Sequence, residues 1–127
     1  MVVLSGAIQA DLFDLGPYPA VAAGGNWVLG ELWQFHSSDM DETLRVLDRI
    51  EGYEEFGGGN EYNREVVSVE YESDAGTSNQ QAFAYFAADP VVLRLARKIE
   101  PNIDFLGRPM AAWPDSKSRV PASFSEE

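Results

Sequence analysis

One stretch of this chain, Met40 to Ile50, repeats its apolar residues at helical spacing, whereas the longest segments around it alternate apolar and polar residues with period two. The chain therefore reads as strands set around one clear helix. Met40, Leu44 and Leu47 stand at i, i+4 and i+7, with Thr43, Val46 and Ile50 beside them, forming one apolar stripe. Asp39 followed by Glu42 has the form of a capping box, in which two acidic side chains satisfy amide donors left over at the helix start. The helix should run to about Ile50, with Gly52 as its stop.

The strand readings follow from alternation. Ile8, Ala10 and Leu12 alternate with Gln9 and Asp11, a half-buried strand over Ala7 to Asp14 that Gly16-Pro17-Tyr18-Pro19 ends in a rigid turn. Gly24-Gly25-Asn26 reads as a second turn and Trp27 to Phe35 as a central strand. Gly57-Gly58-Gly59-Asn60 has the composition of a mobile loop. Tyr62 to Glu72 and Gln81 to Ala87 read as an antiparallel hairpin around the turn-rich Ser73 to Asn79. Asp89-Pro90 opens a second expected helix with Val91, Val92, Leu95, Ala96 and Ile99 on its apolar side. Residues 1–112 form the expected domain and 113–127 a flexible tail rich in Pro, Ser, Lys and Glu.

Composition narrows the chemistry. At 127 residues the chain is one domain's worth, and 45% hydrophobic content supports a core. Twenty-one acidic against nine basic residues, a net charge of −12, argue against a nucleic-acid partner, because such binding needs clustered Lys and Arg. No cysteine means no disulfide, thiol nucleophile or thiolate metal site, and a lone His36 disfavours histidine-based zinc or a serine triad. His36 itself reads as a strand-end residue. The apolar start lacks a basic flank and is too short to span a membrane, so a cytoplasmic location without membrane association is the expectation.

Glu51 is the leading candidate for chemistry. It follows the helix directly, where the negative end of the macrodipole opposes an ionised carboxylate by a few tenths to about 1 kcal/mol. Desolvation by Tyr53 or Phe56 would push its pKa further toward the range of a general acid/base. The plain alternative is a solvated acid at a helix end.

Four segments taken in order, Gly16-Pro17-Tyr18-Pro19-Ala20, Val28-Leu29-Gly30-Glu31-Leu32-Trp33, Leu47-Asp48-Arg49-Ile50-Glu51-Gly52-Tyr53 and Tyr62-Asn63-Arg64, resemble the gamma-glutamylcyclotransferase-like family, which includes AIG2-like and BtrG-like proteins. The family's patterns are G-x-YP, V-x-GEL, LD-x-x-EG-Y and Y-x-R. The resemblance implies an α+β fold, small and mixed, with a curved or barrel-like sheet and helices packed outside. It implies cyclisation of a gamma-glutamyl amine or peptide to 5-oxoproline with release of the amine, Glu51 as catalytic acid/base, and no cofactor or metal. Tyr62 and Tyr85 resemble the family's pocket tyrosines, the other reading being core aromatics. Arg64 matches the Y-x-R arginine, either near substrate or in a salt bridge to Glu51, Asp48 or Glu31. Tyr18 reads as structural.

The chain departs from the family at its start, where no Y-G-[ST]-L segment appears. The expectation from that departure is a missing first strand and binding loop, and an unpaired sheet edge open to self-association. A non-catalytic binding or interaction module of the same fold is the alternative function.

Overall fold

A computed structural model describes residues 2–53, 62–113 and 123–126. The long strands β1 (Val2–Asp14) and β2 (Pro19–Phe35) pair antiparallel, and a 3-10 turn at Ser37–Asp39 leads into α1 (Met40–Ile50). The hairpin β3 (Tyr62–Ser73) and β4 (Gly76–Ala87) follows, then the short α2 (Pro90–Arg94) and β5 (Arg97–Ile99). A small hairpin of β6 (Ile103–Phe105) and β7 (Arg108–Met110) comes next, with β8 (Ser123–Glu126) last.

Six of these strands form one sheet in the order β2-β8-β4-β3-β1-β5, with β1 and β2 also paired directly. The β4–β8 contact is a single residue pair and the β1–β3 contact only Gly6↔Tyr71 and Ala7↔Glu70. The sheet therefore does not close into a continuous barrel. The fold is α+β, mostly antiparallel sheet, as the resemblance implied.

Alternation on the β3–β4 hairpin sorts its side chains onto two faces. Val67, Val69, Ala82, Ala84 and Phe86 face a core built with Ile8, Ala10, Leu12, Val21, Val28 and Leu32. Leu12 and Leu32 are fully buried, each contributing about 1.5–3 kcal/mol of apolar burial. Tyr62, Phe83, Tyr85 and Ala87 lie on the opposite face, and α1 covers them with Met40, Leu44 and Leu47. The stripe is narrower than expected, since Val46 and Ile50 are exposed.

Several local expectations are corrected. Gly24-Gly25-Asn26 makes no turn but lies within β2, where the register changes from Gln9↔Trp27 to Asp11↔Ala22. The glycine there makes room for a carboxylate: a Cβ on Gly24 would fall 2.1 Å from Asp11 Cγ. Asp11 accepts the Asn26 amide at 3.3 Å and meets Lys98 Nζ at 3.3 Å. Asp39 forms no capping box, because it has helical backbone angles at the end of the 3-10 turn and its side chain caps nothing. The hairpin turn is shorter than read, with Ser73 already paired to Gly76. The second helix stops at Arg94; Leu95 is 90% exposed, and Ile99 is buried in β5 opposite Leu12. Of the expected tail, Ser123–Glu126 pairs parallel with β2. The glycine-rich loop at 57–60 and Phe56 lie outside the described residues. No helix among the described residues is long and apolar enough to cross a membrane.

Candidate active site

Glu51 is positioned by the way α1 ends. The Tyr53 amide donates to the Asp48 carbonyl at 2.8 Å and the Gly52 amide to the Arg49 carbonyl at 3.3 Å, the paired bonds of a Schellman stop. Gly52 takes φ +66, a left-handed conformation that favours glycine, and this fixes where the preceding residue points. Glu51 is the C-cap, its own amide still bonded to the Leu47 carbonyl at 2.9 Å. The expected stop at Gly52 is thus realised.

Asp48 lies one helical turn before Glu51, on the same side of the helix. Its Oδ2 accepts Arg64 Nη1 at 2.6 Å and its Oδ1 accepts the Tyr85 hydroxyl at 2.5 Å. Arg64 and Tyr85 are direct cross-strand partners in the β3–β4 register, so the hairpin delivers both side chains to one carboxylate. Of the three acids weighed as partners for Arg64, Asp48 forms a salt bridge with it, and both side chains are mostly shielded, with 14% and 19% exposure. Arg64 also lies 5.3 Å from the Tyr53 ring centroid and 5.2 Å from that of Phe83. A guanidinium held between aromatic faces and a carboxylate has little freedom to move.

Tyr62 sits two residues before Arg64 on the same face of β3 and is 8% exposed, in one cluster with Tyr85, Ala20 and Met40. Tyr85 is 2% exposed. Burial holds its hydroxyl pKa far above the ordinary tyrosine value, with further rises from the hydrogen bond to Asp48 and from the charges of Asp48 and Glu51. Tyr62, Arg64 and Tyr85 thus gather against α1, the first and last in one cluster with Leu44 and Leu47 and the latter two on Asp48, and Glu51 follows at the end of that helix. Both tyrosines belong to the core cluster under α1, and the Tyr85 hydroxyl donates to the partly shielded carboxylate of Asp48.

Sequence reasoning named Asp48 only as one possible ion-pair partner and overlooked its bond to Tyr85. A signal was present: Met40, Leu44, Leu47, Asp48 and Glu51 fall on one side of the helix at spacings of three and four. Two acids thus continue the buried stripe while Val46 and Ile50 point outward. Phe83, two residues before Tyr85 on the same face, was also overlooked.

Leu15, partly buried against the Tyr62–Tyr85 cluster, also lines a cavity of about 400 Å³ together with Asp14, Tyr18, Leu95 and Ala96. Tyr18 is 47% exposed in its proline-flanked turn, where the Leu15 amide donates to the Tyr18 carbonyl at 3.1 Å. Asp14 accepts the Gly16 amide and Arg97 Nη2, and these bonds hold its carboxyl below the usual range. Among the described residues no group of three or more acidic or histidine side chains could hold a metal ion.

The family model described as gamma-glutamyl cyclotransferase, AIG2-like, matches residues 3–104. No curated protein and no solved structure gives a significant match to the chain.

Proposed function

The chain belongs to the AIG2-like gamma-glutamyl cyclotransferase family, and from that premise we propose that it converts a gamma-glutamyl amine or peptide to 5-oxoproline, with Glu51 as the acid/base. The observation that carries this reading is the setting of Glu51. A carboxylate stands at a helix C-terminus set by a Schellman stop, one turn after an acid held by Arg64 and Tyr85, in a chain whose family match spans that region.

In the proposed reaction the substrate's α-ammonium gives a proton to Glu51, and the freed amine attacks the substrate's own side-chain carbonyl. A bond forms between the α-nitrogen and the γ-carbonyl carbon. The bond from that carbon to the leaving nitrogen then breaks as Glu51 gives its proton to that nitrogen, and the second proton of the α-nitrogen passes by the same carboxylate to the departing amine, which leaves as an ammonium. Atoms balance as one 5-oxoproline and one amine, with no net proton change beyond the ionisation of the products. Because nucleophile and electrophile belong to one molecule, folding the substrate into a five-membered approach supplies much of the rate, and a single well-placed carboxylate suffices for the proton transfers. The helix dipole opposes the ionised form of Glu51, which favours return of the proton to the leaving group. Tyr62 and Tyr85 are proposed to line the substrate site, with Arg64 holding Asp48 and the adjoining aromatic wall in place.

The test is to incubate the protein with a panel of gamma-glutamyl amines and dipeptides and separate the products by chromatography. Time-dependent release of 5-oxoproline with an equal quantity of amine is the expected result. Recovery of every substrate intact would overturn the assignment.

A further inference from the structure

We propose that the cavity between the β1–β2 turn and the turn from α2 into β5 is a binding site for a small protonated amine with an aliphatic or aromatic body. Asp14, Leu15 and Tyr18 line it from the first turn and Leu95 and Ala96 from the second, around a volume of about 400 Å³. The ladder pair Asp14↔Arg97 joins the two segments. That volume falls within the range of roughly 300–1,000 Å³ in which small organic molecules bind.

The first segment is held in shape by its own bonds. The Leu15 amide donates to the Tyr18 carbonyl at 3.1 Å, the Gly16 amide donates to Asp14 Oδ1 at 2.8 Å, and Pro17 and Pro19 fix the backbone on either side of Tyr18. Asp14 supplies the charge. Its bonds to the Gly16 amide and to Arg97 hold its carboxyl below the usual range, so it is ionised at neutral pH. Oδ1 accepts from Gly16 and Oδ2 from Arg97 Nη2 at 3.1 Å, one donor each, and a carboxylate oxygen has lone pairs for two. Arg97 does not cancel this charge, because its side chain is 71% exposed and water screens such a pair.

Tyr18 adds a half-exposed aromatic ring to the same lining, and a ring and a carboxylate in one cavity suit an ammonium. The net charge of −12 on the chain attracts a cation and repels an anion. Leu15, Ala96 and the highly exposed Leu95 offer the apolar surface that an alkyl or aryl body would cover. Binding of this kind is independent of the role of Glu51.

The test titrates n-hexylamine, n-hexanol and hexanoate into the full chain at neutral pH and follows the backbone amides by NMR. Hexylamine should give saturable shifts at Leu15, Gly16, Tyr18, Leu95 and Ala96, with hexanol and hexanoate binding about tenfold more weakly or less. Asp14→Asn should weaken hexylamine about tenfold and leave hexanol little changed. Leu95→Ser, at an exposed position that the fold does not need, should weaken the amine and the alcohol alike by about threefold. The dispersion of each spectrum reports whether the variant is folded, and the ligand series on wild type decides the matter even where Asp14→Asn is not. Absence of saturable shifts at these amides overturns the proposal, as does equal binding of hexylamine and hexanol. Hexylamine shifts that persist unchanged in both variants overturn it too, since they report only the general attraction of a cation to an acidic surface.

Discussion

Arg64 and Tyr85 stand directly opposite each other across the β3–β4 hairpin, and their side chains end on the two oxygens of one carboxylate, Asp48. This junction fastens the last turn of α1 to the sheet. The orientation of Glu51 depends on it, because Glu51 is carried on that turn.

Removing the Asp48 carboxylate should therefore be costly. Breaking a fully buried ion pair by deleting one partner costs about 3–5 kcal/mol, and the residual exposure of Asp48 and Arg64 reduces that. Asp48→Ala is expected to lower unfolding free energy by about 2–3 kcal/mol, measured by urea denaturation at neutral pH. A loss within a few tenths of a kcal/mol would mean that the junction contributes little to stability.

The contact of Gly24 with Asp11 makes a second prediction. A methyl group at Gly24 would collide with a carboxylate that is tied to Lys98 and to the Asn26 amide. Gly24→Ala should destabilise by about 1–3 kcal/mol, as overpacking does. The same substitution introduced beside Asp11→Ala should cost markedly less, and a double-mutant cycle by thermal or chemical unfolding reads the difference.

Tyr85 supplies a prediction at alkaline pH. Its folded-state pKa is raised above the unfolded value of about 10. Its contribution is therefore complete below that value, and stability falls as pH rises past it, since the unfolded chain releases the proton more readily. Wild type should lose stability between about pH 10 and 11.5 more steeply than Tyr85→Phe. Parallel curves for the two proteins would contradict the buried hydrogen bond to Asp48.

Much of this arrangement was legible in the residues, and the rest was hidden for physical reasons. Helical and alternating periods located α1 and the β3–β4 hairpin, since each buries one face and exposes the other. Gly24-Gly25-Asn26 has turn composition, yet its glycine serves a close approach by a side chain 13 residues earlier, which no local pattern reveals. Leu95 and Ile99 fit a helical stripe, but Arg97–Ile99 is captured by pairing with Leu12 to Asp14. At the site, motif resemblance singled out Glu51, Arg64 and Tyr85. The bond from Tyr85 to Asp48 depends on cross-strand register and on the helix docking over it, so it emerged only in three dimensions.

The central claim is that Glu51 performs the proton transfers of gamma-glutamyl cyclisation. Its most direct test is the rate of 5-oxoproline formation by wild type and Glu51→Gln, with thermal unfolding followed on the same samples. The account predicts a fall in kcat/KM of about 10²–10⁴-fold in a variant whose melting temperature is unchanged or higher. A Glu51→Gln protein that forms 5-oxoproline at the wild-type rate would contradict it.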